Sequence, residues 1–438
     1  YVAPGVALRR MGERVRMSAA LRMFGGGSYK GARHDTPNTK EWRPDLDGPN
    51  SGTLPDLETL RANCADLEKN APIATGVMNT NVTSTVGTGL VPYSRADRDF
   101  LKLTDEQADE WESAAERIFA WWAETKACDL SRRLDFYSLQ SLALRSALGR
   151  GDLFAIRRYV DRPGDLLATR VQLVEADRVS NPMGSPETDR FVGGIEFDEN
   201  GVQKRIHVRS SHPGEIGGMG IADTWVPELV YGAETGPARL LHVIDMQRVG
   251  QIRGVPYLAP VIEALKGLDR YSEAELTAAV LQSFFTVFIK SESGEDELPD
   301  EGEESTLEAS RAQPGTERDV RLGIGKIVAL AKDEDIVMAD PKRPNQQFDP
   351  FVQAILRQVG VALEVPYELL IKHFASSYSA SRAAIIEAWR ATMRRRDWMT
   401  RTLCQPIWEW VIEEAVARGL LSAPVFFEYP LVRAAYCR

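Results

Sequence analysis

The residue patterns that bind nucleotides are incomplete in this chain. A phosphate-binding loop ends in Gly-Lys-Ser/Thr, because its backbone N–H groups surround the phosphates and its hydroxyl group holds magnesium. The best candidate, Gly325-Lys326, has Val320 in place of the first glycine and Ile327 in place of the hydroxyl residue. The glycine cluster at residues 217–220 follows no strong strand, as a dinucleotide site requires, and indicates a turn. We therefore expect no nucleotide chemistry.

Metal-binding and nucleophilic patterns are also incomplete. The histidines show no metal-ligand spacing, and the cysteines form no Cys-x-x-Cys pair (His34, His207, His212, His242 and His373; Cys64, Cys128, Cys404 and Cys437). Serines cluster near His373 without the Gly-x-Ser-x-Gly turn of a hydrolase, and serines before a helix usually cap it (Ser376, Ser377, Ser379 and Ser381). The sequence predicts no catalytic residue, no metal and no cofactor.

The composition is that of a large globular protein with an acidic balance. The 438 residues include 53 Lys and Arg against 63 Asp and Glu, which gives a formal net charge of -10. This balance disfavours a protein that binds nucleic acid tightly by neutralising phosphates. The best uncharged apolar run, residues 276–289, has 14 residues between Glu275 and Lys290, so it is too short to span a membrane.

Helical periodicity dominates the first third of the chain, after an arm at residues 1–55 that begins with a basic amphipathic stretch and continues Gly- and Pro-rich. Apolar residues at helical spacing predict two helices within 57–89 and further helices at 105–126 and 134–148. The third helix carries an aromatic cluster that is typical of a core (Trp111, Phe119, Trp121 and Trp122).

Residues 151–252 change to a period of two, which is typical of strands. Short strands are predicted around residues 154–158, 170–174, 194–197, 205–208 and 240–244. Helices and strands in separate blocks indicate an α+β fold.

The last part of the chain combines long helices with an acidic insert. Apolar residues at helical spacing predict one helix over 256–289, about 50 Å long at ~1.5 Å per residue. Strands at 326–330 and 336–338 and a helix at 350–363 follow, and then a last helix that extends to about Arg418. Because proline cannot donate to the carbonyl four residues earlier, Pro406 predicts a kink near Thr402.

Ordered segments of the chain resemble those of lambda-type phage portal proteins. Residues 54–61 (LPDLETLR), 66–74 (DLEKNAPIA) and 86–89 (VGTG) are similar to the N-terminal half of that family. Residues 253–260 (RGVPYLAP) are similar to the family's pre-stem motif, and residues 361–368 (VALEVPYE) to its gly-val-pro-tyr-glu segment. Residues 378–384 (YSASRAA) and 387–390 (EAWR) are similar to its tyrosine-serine-serine-arginine motif and the helix that follows. The resemblance covers roughly residues 28–420. Cys64 and Ala65 depart from the more basic residues usual in the first helix.

This resemblance implies a portal fold, with a mixed α/β wing, a long helical stem, a clip with short strands and a kinked C-terminal helix. The implied parts are an N-terminal arm (1–55), the wing (56–255), a first stem helix (256–289), the clip (290–347), a second stem helix (348–364), a tunnel loop (365–379), and a wing spine helix with a truncated crown region (380–438).

The implied function is a ring, normally of twelve subunits, at one capsid vertex, through which the terminase packages double-stranded DNA that is later ejected. The implied partners are further copies of the chain, DNA bound without sequence specificity, terminase, major capsid protein and head-completion or adaptor proteins, with no membrane. The protein is then a virion component, assembled in the host cytoplasm and without enzymatic activity. A non-conducting head-tail adaptor is the alternative, and a metal-dependent nuclease that uses the abundant carboxylates is a weaker one.

Three groups of residues are candidates for a role in the ring. In the loop, Lys372 and His373 are the only possible cations and lie beside Ser376, Ser377 and Tyr378; these residues either touch DNA phosphates weakly or form a buried turn. Arg390, Arg394 and Arg401 share one helical face and pair within the chain, pair with the next subunit or touch DNA. The acidic clip segment offers a docking surface to a basic partner or simply confers solubility (Glu292, Glu295, Asp296, Glu297, Asp300, Glu301, Glu303 and Glu304).

Overall fold

A computed structural model of the chain describes residues 36–215, 224–232, 236–283, 287–291, 334–338, 347–374 and 377–438, together with Glu13, Tyr29, Ala32 and His34. Two units are distinguished, Tyr1–Gly52 and Thr53–Arg438, and every element named below belongs to the second. Across the described ranges, no helix combines the length and the apolar character needed to cross a bilayer. The basic stretch before residue 25, the acidic clip segment and the strand predicted at 326–330 lie outside the described residues, apart from Glu13.

Within the described residues of the second unit, five α-helices precede the first strand. They are α1 (Leu57–Asn70), α2 (Pro72–Thr85), the short α3 (Arg98–Leu101), α4 (Asp105–Ala123) and α5 (Phe136–Arg150). Pro72 separates α1 from α2, because proline is accommodated in the first helical turn but not in the interior. Thr104 and Gln107 cap α4 reciprocally, and Asp135 caps α5 by accepting from the Ser138 N–H. The predicted helices are confirmed to within a few residues at their ends.

Two antiparallel sheets follow, which confirms the α+β class. In the first sheet, β1 (Asp152–Tyr159) lies between β2 (Thr169–Glu175) and β7 (Leu240–Ile244). The second sheet has the order β3 (Phe191–Val192), β4 (Ile195–Phe197), β5 (Gln203–Arg209) and β6 (Trp225–Leu229). All five predicted strands are confirmed, whereas β3 and β6 are short and interrupted by polar residues and were not predicted.

The aromatic residues of α4 form the core that joins the helices to the first sheet. Trp111, Phe119 and Trp122 are buried as expected. The prediction is wrong for Trp121, which is 56% exposed because it lies on the opposite face of α4 from Phe119 and Trp122. The indole N–H of Trp122 donates to the Thr169 carbonyl at 2.9 Å, so α4 is fixed to β2 by a buried hydrogen bond as well as by packing.

The long helix predicted over 256–289 is shorter than expected. After a 3₁₀ turn at Ala259–Val261, α6 spans Ile262–Ser283, and Val287–Ser291 form the strand β8. β8 pairs antiparallel with β9 (Glu334–Met338), which confirms the strand predicted at 336–338. The prediction failed at its C-terminal end because a continuous apolar run fits a helix or a strand equally well, and the aromatic and β-branched residues of 284–289 favour the strand.

After β9, the described residues form five further α-helices: α7 (Phe348–Ala362), the short α8 (Tyr367–Leu370), α9 (Tyr378–Met399), α10 (Gln405–Ala417) and α11 (Pro430–Tyr436). A π-helical turn at Thr400–Cys404 separates α9 from α10, at the position where Pro406 predicts an interruption. The predicted loop is also shorter than expected, because α8 lies within it and α9 begins at Tyr378 rather than at Ala380.

Removing the indole donor of Trp122 is expected to destabilise the wing. In Trp122→Phe, the buried Thr169 carbonyl loses its shorter hydrogen bond and keeps only the 3.2 Å contact with the Arg170 guanidinium, and the loss of one such bond costs about 0.5–1.5 kcal/mol. The exposed neighbour serves as the matched control, since Trp121→Phe removes an indole that makes no described hydrogen bond. Urea unfolding followed by circular dichroism should give a clearly lower midpoint for Trp122→Phe only; equal midpoints for the two variants would contradict this account of the core.

Candidate functional site

The pre-stem segment, residues 253–260, crosses the end of α5 where only glycine fits. A Cβ on Gly254 would lie 1.9 Å from the carbonyl oxygen of Gly151, and a Cβ on Gly151 would lie 2.3 Å from that of Gly254. Gly151 also has a φ of 91°, which strongly favours glycine. The Tyr257 N–H donates to the Leu148 carbonyl at 2.8 Å. The backbone that leads into α6 is therefore held against the end of α5.

A buried carboxylate fixes the same segment to the first sheet. Asp152, the first residue of β1, is fully buried and accepts hydrogen bonds from Arg61 at 3.0 Å, from Arg253 at 2.7 and 3.1 Å, and from the Gly254 N–H at 3.1 Å. His242 Nε2 lies 3.2 Å from Asp152 Oδ2, the oxygen that also accepts from Arg253 Nε and from the Gly254 N–H. We call Asp152, Arg61, Arg253 and His242 the wing hub.

Arg253 makes the wing hub rigid because its guanidinium is fully engaged. Besides Asp152, it donates to the carbonyls of Ala176, Val179 and Gly193 at 2.7–2.8 Å. Arg253 thereby connects the pre-stem segment to both sheets at once. A lysine has no planar array of donors and could not make these contacts together.

The charges of the wing hub shift the pKa values of its members. Burial alone would raise the pKa of Asp152, but Arg253, the contact with His242 and Arg61 outweigh it and hold that pKa far below its usual range. Burial lowers the pKa of Arg61 to about 10, with the nearby Arg253 adding to the effect. Burial also lowers the pKa of His242, so this ring is neutral at pH 7.

A second cluster joins the pre-stem segment to the end of α7 and to α9. The Tyr257 hydroxyl donates to the Leu363 carbonyl, and Arg395 of α9 donates to the Tyr257 oxygen at 3.1 Å. The Arg395 guanidinium also lies 4.9 Å from the Tyr257 ring centroid and 3.4 Å from the Glu364 carboxylate. We call Tyr257, Leu363, Glu364 and Arg395 the stem joint; it brings together the three segments that carry the later part of the family resemblance.

Helices α6 and α7 pack against each other and against α1 and α2 at one end. Leu258, Val261, Leu265 and Leu268 share a buried cluster with α7, α1 and α2, and the Tyr271 ring stacks on Phe348 at 5.3 Å (partners include Leu356, Val359, Cys64, Leu67, Val77 and Met78). Within residues 269–280, all of which the structure describes, none is buried, and Leu276 is 67% exposed. One half of α6 is therefore anchored, and the other half projects beyond the packed core.

The candidate loop residues are exposed, as far as the structure describes them. Lys372 and His373 lie in the turn after α8, where the His373 N–H donates to the Glu368 carbonyl at 3.0 Å. Ser377 precedes α9 and Tyr378 opens it, with 80% of Tyr378 exposed. Ser376 lies outside the described residues. Lys372 and His373 are exposed in the single chain, so contact with DNA phosphates and burial in an assembled ring both stay predictions.

The three arginines of the predicted basic face each have an acidic neighbour in the same chain. Arg390 lies 3.0 Å from Glu387, and Arg401 lies 3.0 Å from Asp397. Arg394 lies 3.3 Å from Glu364 and 3.6 Å from Asp245. All three side chains are more than half exposed, so contacts with another subunit or with DNA stay predictions.

One group of described residues has the donor types of a metal site. Glu175, Asp177 and His212 place their polar atoms within 4.8 Å of one another. However, Arg150 Nε lies 3.2 Å from Asp177 and 3.7 Å from Glu175, so a guanidinium already supplies the positive charge. We interpret the group as an ion-pair cluster at the edge of the wing.

The wing hub and most of the stem joint were not identified from sequence. Asp152 pairs with residues 91 and 101 positions away, a separation at which no local period exists. The sequence analysis assigns no role to Arg395, which directly follows Arg394. The available signals were the Arg253-Gly254 pair in the pre-stem motif and the position of Arg395, which lies about 100° around the helix from Arg394 at ~3.6 residues per turn.

Neutralising Asp152 is expected to destabilise the protein strongly. Asp152→Asn leaves Arg61 and Arg253 buried without their counter-charge, a change that typically costs about 3–5 kcal/mol. Asp397→Asn, at an exposed ion pair with Arg401, serves as the control and should cost less than about 1 kcal/mol. Thermal unfolding at pH 7 measures both; similar midpoints for the two variants would contradict the role of the wing hub.

The same carboxylate should contribute to acid sensitivity. Because its pKa is lowered in the folded protein, its stabilisation is present above the unfolded pKa of about 4 and is lost as the pH falls below that value. Asp152→Asn should therefore lose less stability than the parent protein between pH 5 and pH 3. Parallel pH profiles for the two proteins would contradict the assignment.

Comparison with known proteins agrees with these features. The model of the family described as phage portal protein, lambda family, matches residues 35–396. Portal protein B of Escherichia phage lambda is 25% identical over 418 residues, covering 91% of this chain and 76% of the relative. The portal protein of Escherichia phage N15 is 24% identical over 414 residues, with coverages of 91% and 76%.

A chain in a solved structure of the virion of a native gene transfer agent particle also aligns with this protein. It has a TM-score of 0.46 and 12% identity, and the alignment covers 86% of this chain and 94% of that one. The family match spans well over half of the sequence, and the chain therefore belongs to the lambda family of phage portal proteins.

Proposed function

We propose that this portal protein works as a ring of twelve copies at one capsid vertex, through whose central channel double-stranded DNA enters during packaging and leaves during ejection. The observation that carries the proposal is the geometry of α6. Its base is packed into the core, while residues 269–280 project without a buried residue and expose Leu276. An apolar residue exposed on a projecting helix is stabilised when neighbouring copies cover it, and a ring of such helices supplies that cover.

The parts of the ring follow the order implied by the sequence. We propose that α6 and α7 form the stem, residues 365–377 the tunnel loop, α9 and α10 the wing spine, and residues up to 55 the N-terminal arm. The clip would begin after Ser283, because α6 ends there and β8 is a strand, and it would include the acidic segment 292–304. The residues from 418 onward would belong to the crown region.

The charge of the ring suits a channel through which DNA slides. Twelve copies at -10 each carry a formal charge of about -120, and wherever this charge faces the channel it repels phosphates toward the axis. Lys372 and His373 would add a thin ring of weak phosphate contacts, with Ser376, Ser377 and Tyr378 beside them. Few basic contacts keep non-specific binding weak, as movement of DNA requires.

We further propose that the clip docks terminase during packaging and head-completion proteins afterwards, and that the arm and wing face the major capsid protein. The acidic segment would attract a basic surface on the docking partner. The protein would assemble in the host cytoplasm and have no enzymatic activity of its own. Incubation of the purified protein with DNA and magnesium should leave the DNA uncut, and cleavage that a single carboxylate substitution abolishes would contradict this.

Native mass spectrometry tests the ring. Twelve copies of the 48.7 kDa chain should give a mass of about 584 kDa. Electron microscopy of the same particles should show a central opening wide enough for a duplex. A protein that stays monomeric under all assembly conditions, or a ring that is closed along its axis, would contradict the proposal.

A substitution in the loop tests the DNA contact separately. Lys372→Ala rings should bind short duplexes more weakly at low salt, and binding should depend less steeply on salt because fewer counterions are released. Lys102→Ala is the matched control, since Lys102 is also an exposed lysine with a positive φ but lies between α3 and α4. Fluorescence anisotropy at several salt concentrations measures both variants. Equal salt dependence would exclude Lys372 from the channel surface.

A further inference from the structure

One face of α9 exposes a continuous row of large apolar side chains. Ile385, Ile386, Trp389 and Met393 are 47%, 49%, 52% and 43% exposed, and Tyr378 extends the row toward the loop. At 100° per residue they lie within about 100° of the helix circumference, which is the width of an apolar stripe that normally packs against another element. We call these five residues the ridge. An exposed apolar patch of this kind marks an interaction surface.

A groove lies beside the ridge, between the end of α7 and the adjacent face of α9. Its apolar wall is formed by Gly360, Val361, Val365, Pro366 and Tyr367, and its volume is about 570 Å³. That volume is in the range that encloses a drug-sized molecule, so several large side chains can enter it. Val361 is 81% exposed at its mouth.

The α9 arginines at the rim of the groove are each paired with a carboxylate of the same chain. Arg390 pairs with Glu387 and Arg394 pairs with Glu364, so an apolar side chain can enter without leaving an arginine of α9 unpaired. Arg382 lies within the stripe of the ridge, and among the described residues it has no acidic partner. When a ridge docks, its Arg382 can approach the carboxylates of Glu364 and Glu387 at the rim of the groove. The two surfaces are therefore complementary in charge as well as in polarity.

The ridge cannot fill the groove of its own chain. The ridge residues occupy one side of α9, whereas the α9 residues that line the groove, Glu387, Arg390, Ala391 and Arg394, lie farther around the same helix. Two complementary surfaces on different faces of one chain are the requirement for a heterologous contact, which closes into a ring when each copy docks on the next.

We propose that the ridge of one copy docks into the groove of the next copy in the ring. This inference rests on the proposed ring and assigns its subunit contact to particular residues. The docked ridge lies beside Glu364 and Arg394, next to the stem joint. The contact between subunits is thereby continuous with the contact between the stem and the spine within each subunit.

Two variants separate the two surfaces. Trp389→Glu places a charge on the ridge, and Val361→Glu places one in the groove; both positions are exposed in the single chain, so circular dichroism and thermal midpoints should match the parent. Each variant alone should lose the ring and remain monomeric by native mass spectrometry. Trp121→Glu and Val91→Glu, at positions 56% and 72% exposed, are the matched controls and should form rings.

Mixing the two variants gives the decisive outcome. The intact ridge of Val361→Glu can dock into the intact groove of Trp389→Glu. The pair cannot bind a further copy, because its remaining groove and its remaining ridge each carry the substitution. The mixture should therefore form a 1:1 dimer of about 97 kDa, twice the chain mass, without larger species.

Other outcomes overturn the inference. Rings formed by either variant alone would show that another surface holds the subunits together, although the ring itself would stand. No association in the mixture would exclude a ridge-to-groove contact. A parent protein that never forms rings would instead defeat the proposed function on which the inference rests.

Discussion

The buried carboxylate of Asp152 is the interaction on which the rest of the structure depends. It lies where the helical first third of the chain passes into the first sheet, and it binds Arg61 of α1 and Arg253 of the pre-stem segment together. Two cations taken out of water require this counter-charge, because isolated buried charges are strongly disfavoured. The direction in which α6 leaves the wing is therefore set by an electrostatic requirement as well as by packing.

The stem joint extends this rigidity to the loop and the spine. Tyr257 follows Arg253 by four residues, and its contacts with Leu363 and Arg395 connect the segment before α6 and the end of α7 to α9. The loop of residues 365–377 lies between two elements that the stem joint holds, α7 and α9. A displacement of the loop by DNA would therefore act directly on the stem joint, and through Arg253 on the wing.

The sequence predicted those parts of the fold whose residues are close along the chain. Helices α1, α2, α4 and α5 and the five main strands follow from local periodicity, and Pro406 predicted the interruption of the last helix. The prediction is wrong at residues 287–289 because an apolar run does not by itself distinguish helix from strand, and here pairing with β9 selects the strand. The wing hub and the stem joint were not predicted because tertiary contacts bring their members together. The loop was predicted from the family resemblance, and the shared face of the α9 arginines from their helical spacing.

The central claim is that α6 and α7 are paired rods beside a passage, repeated around an axis. A density map of the assembled particle from electron cryomicroscopy tests it most directly. The account predicts that Leu276 of each copy is covered by the neighbouring copy and that an open passage runs beside the paired helices. A map in which these helices are enclosed in the core of a solitary subunit, with no passage next to them, would contradict it.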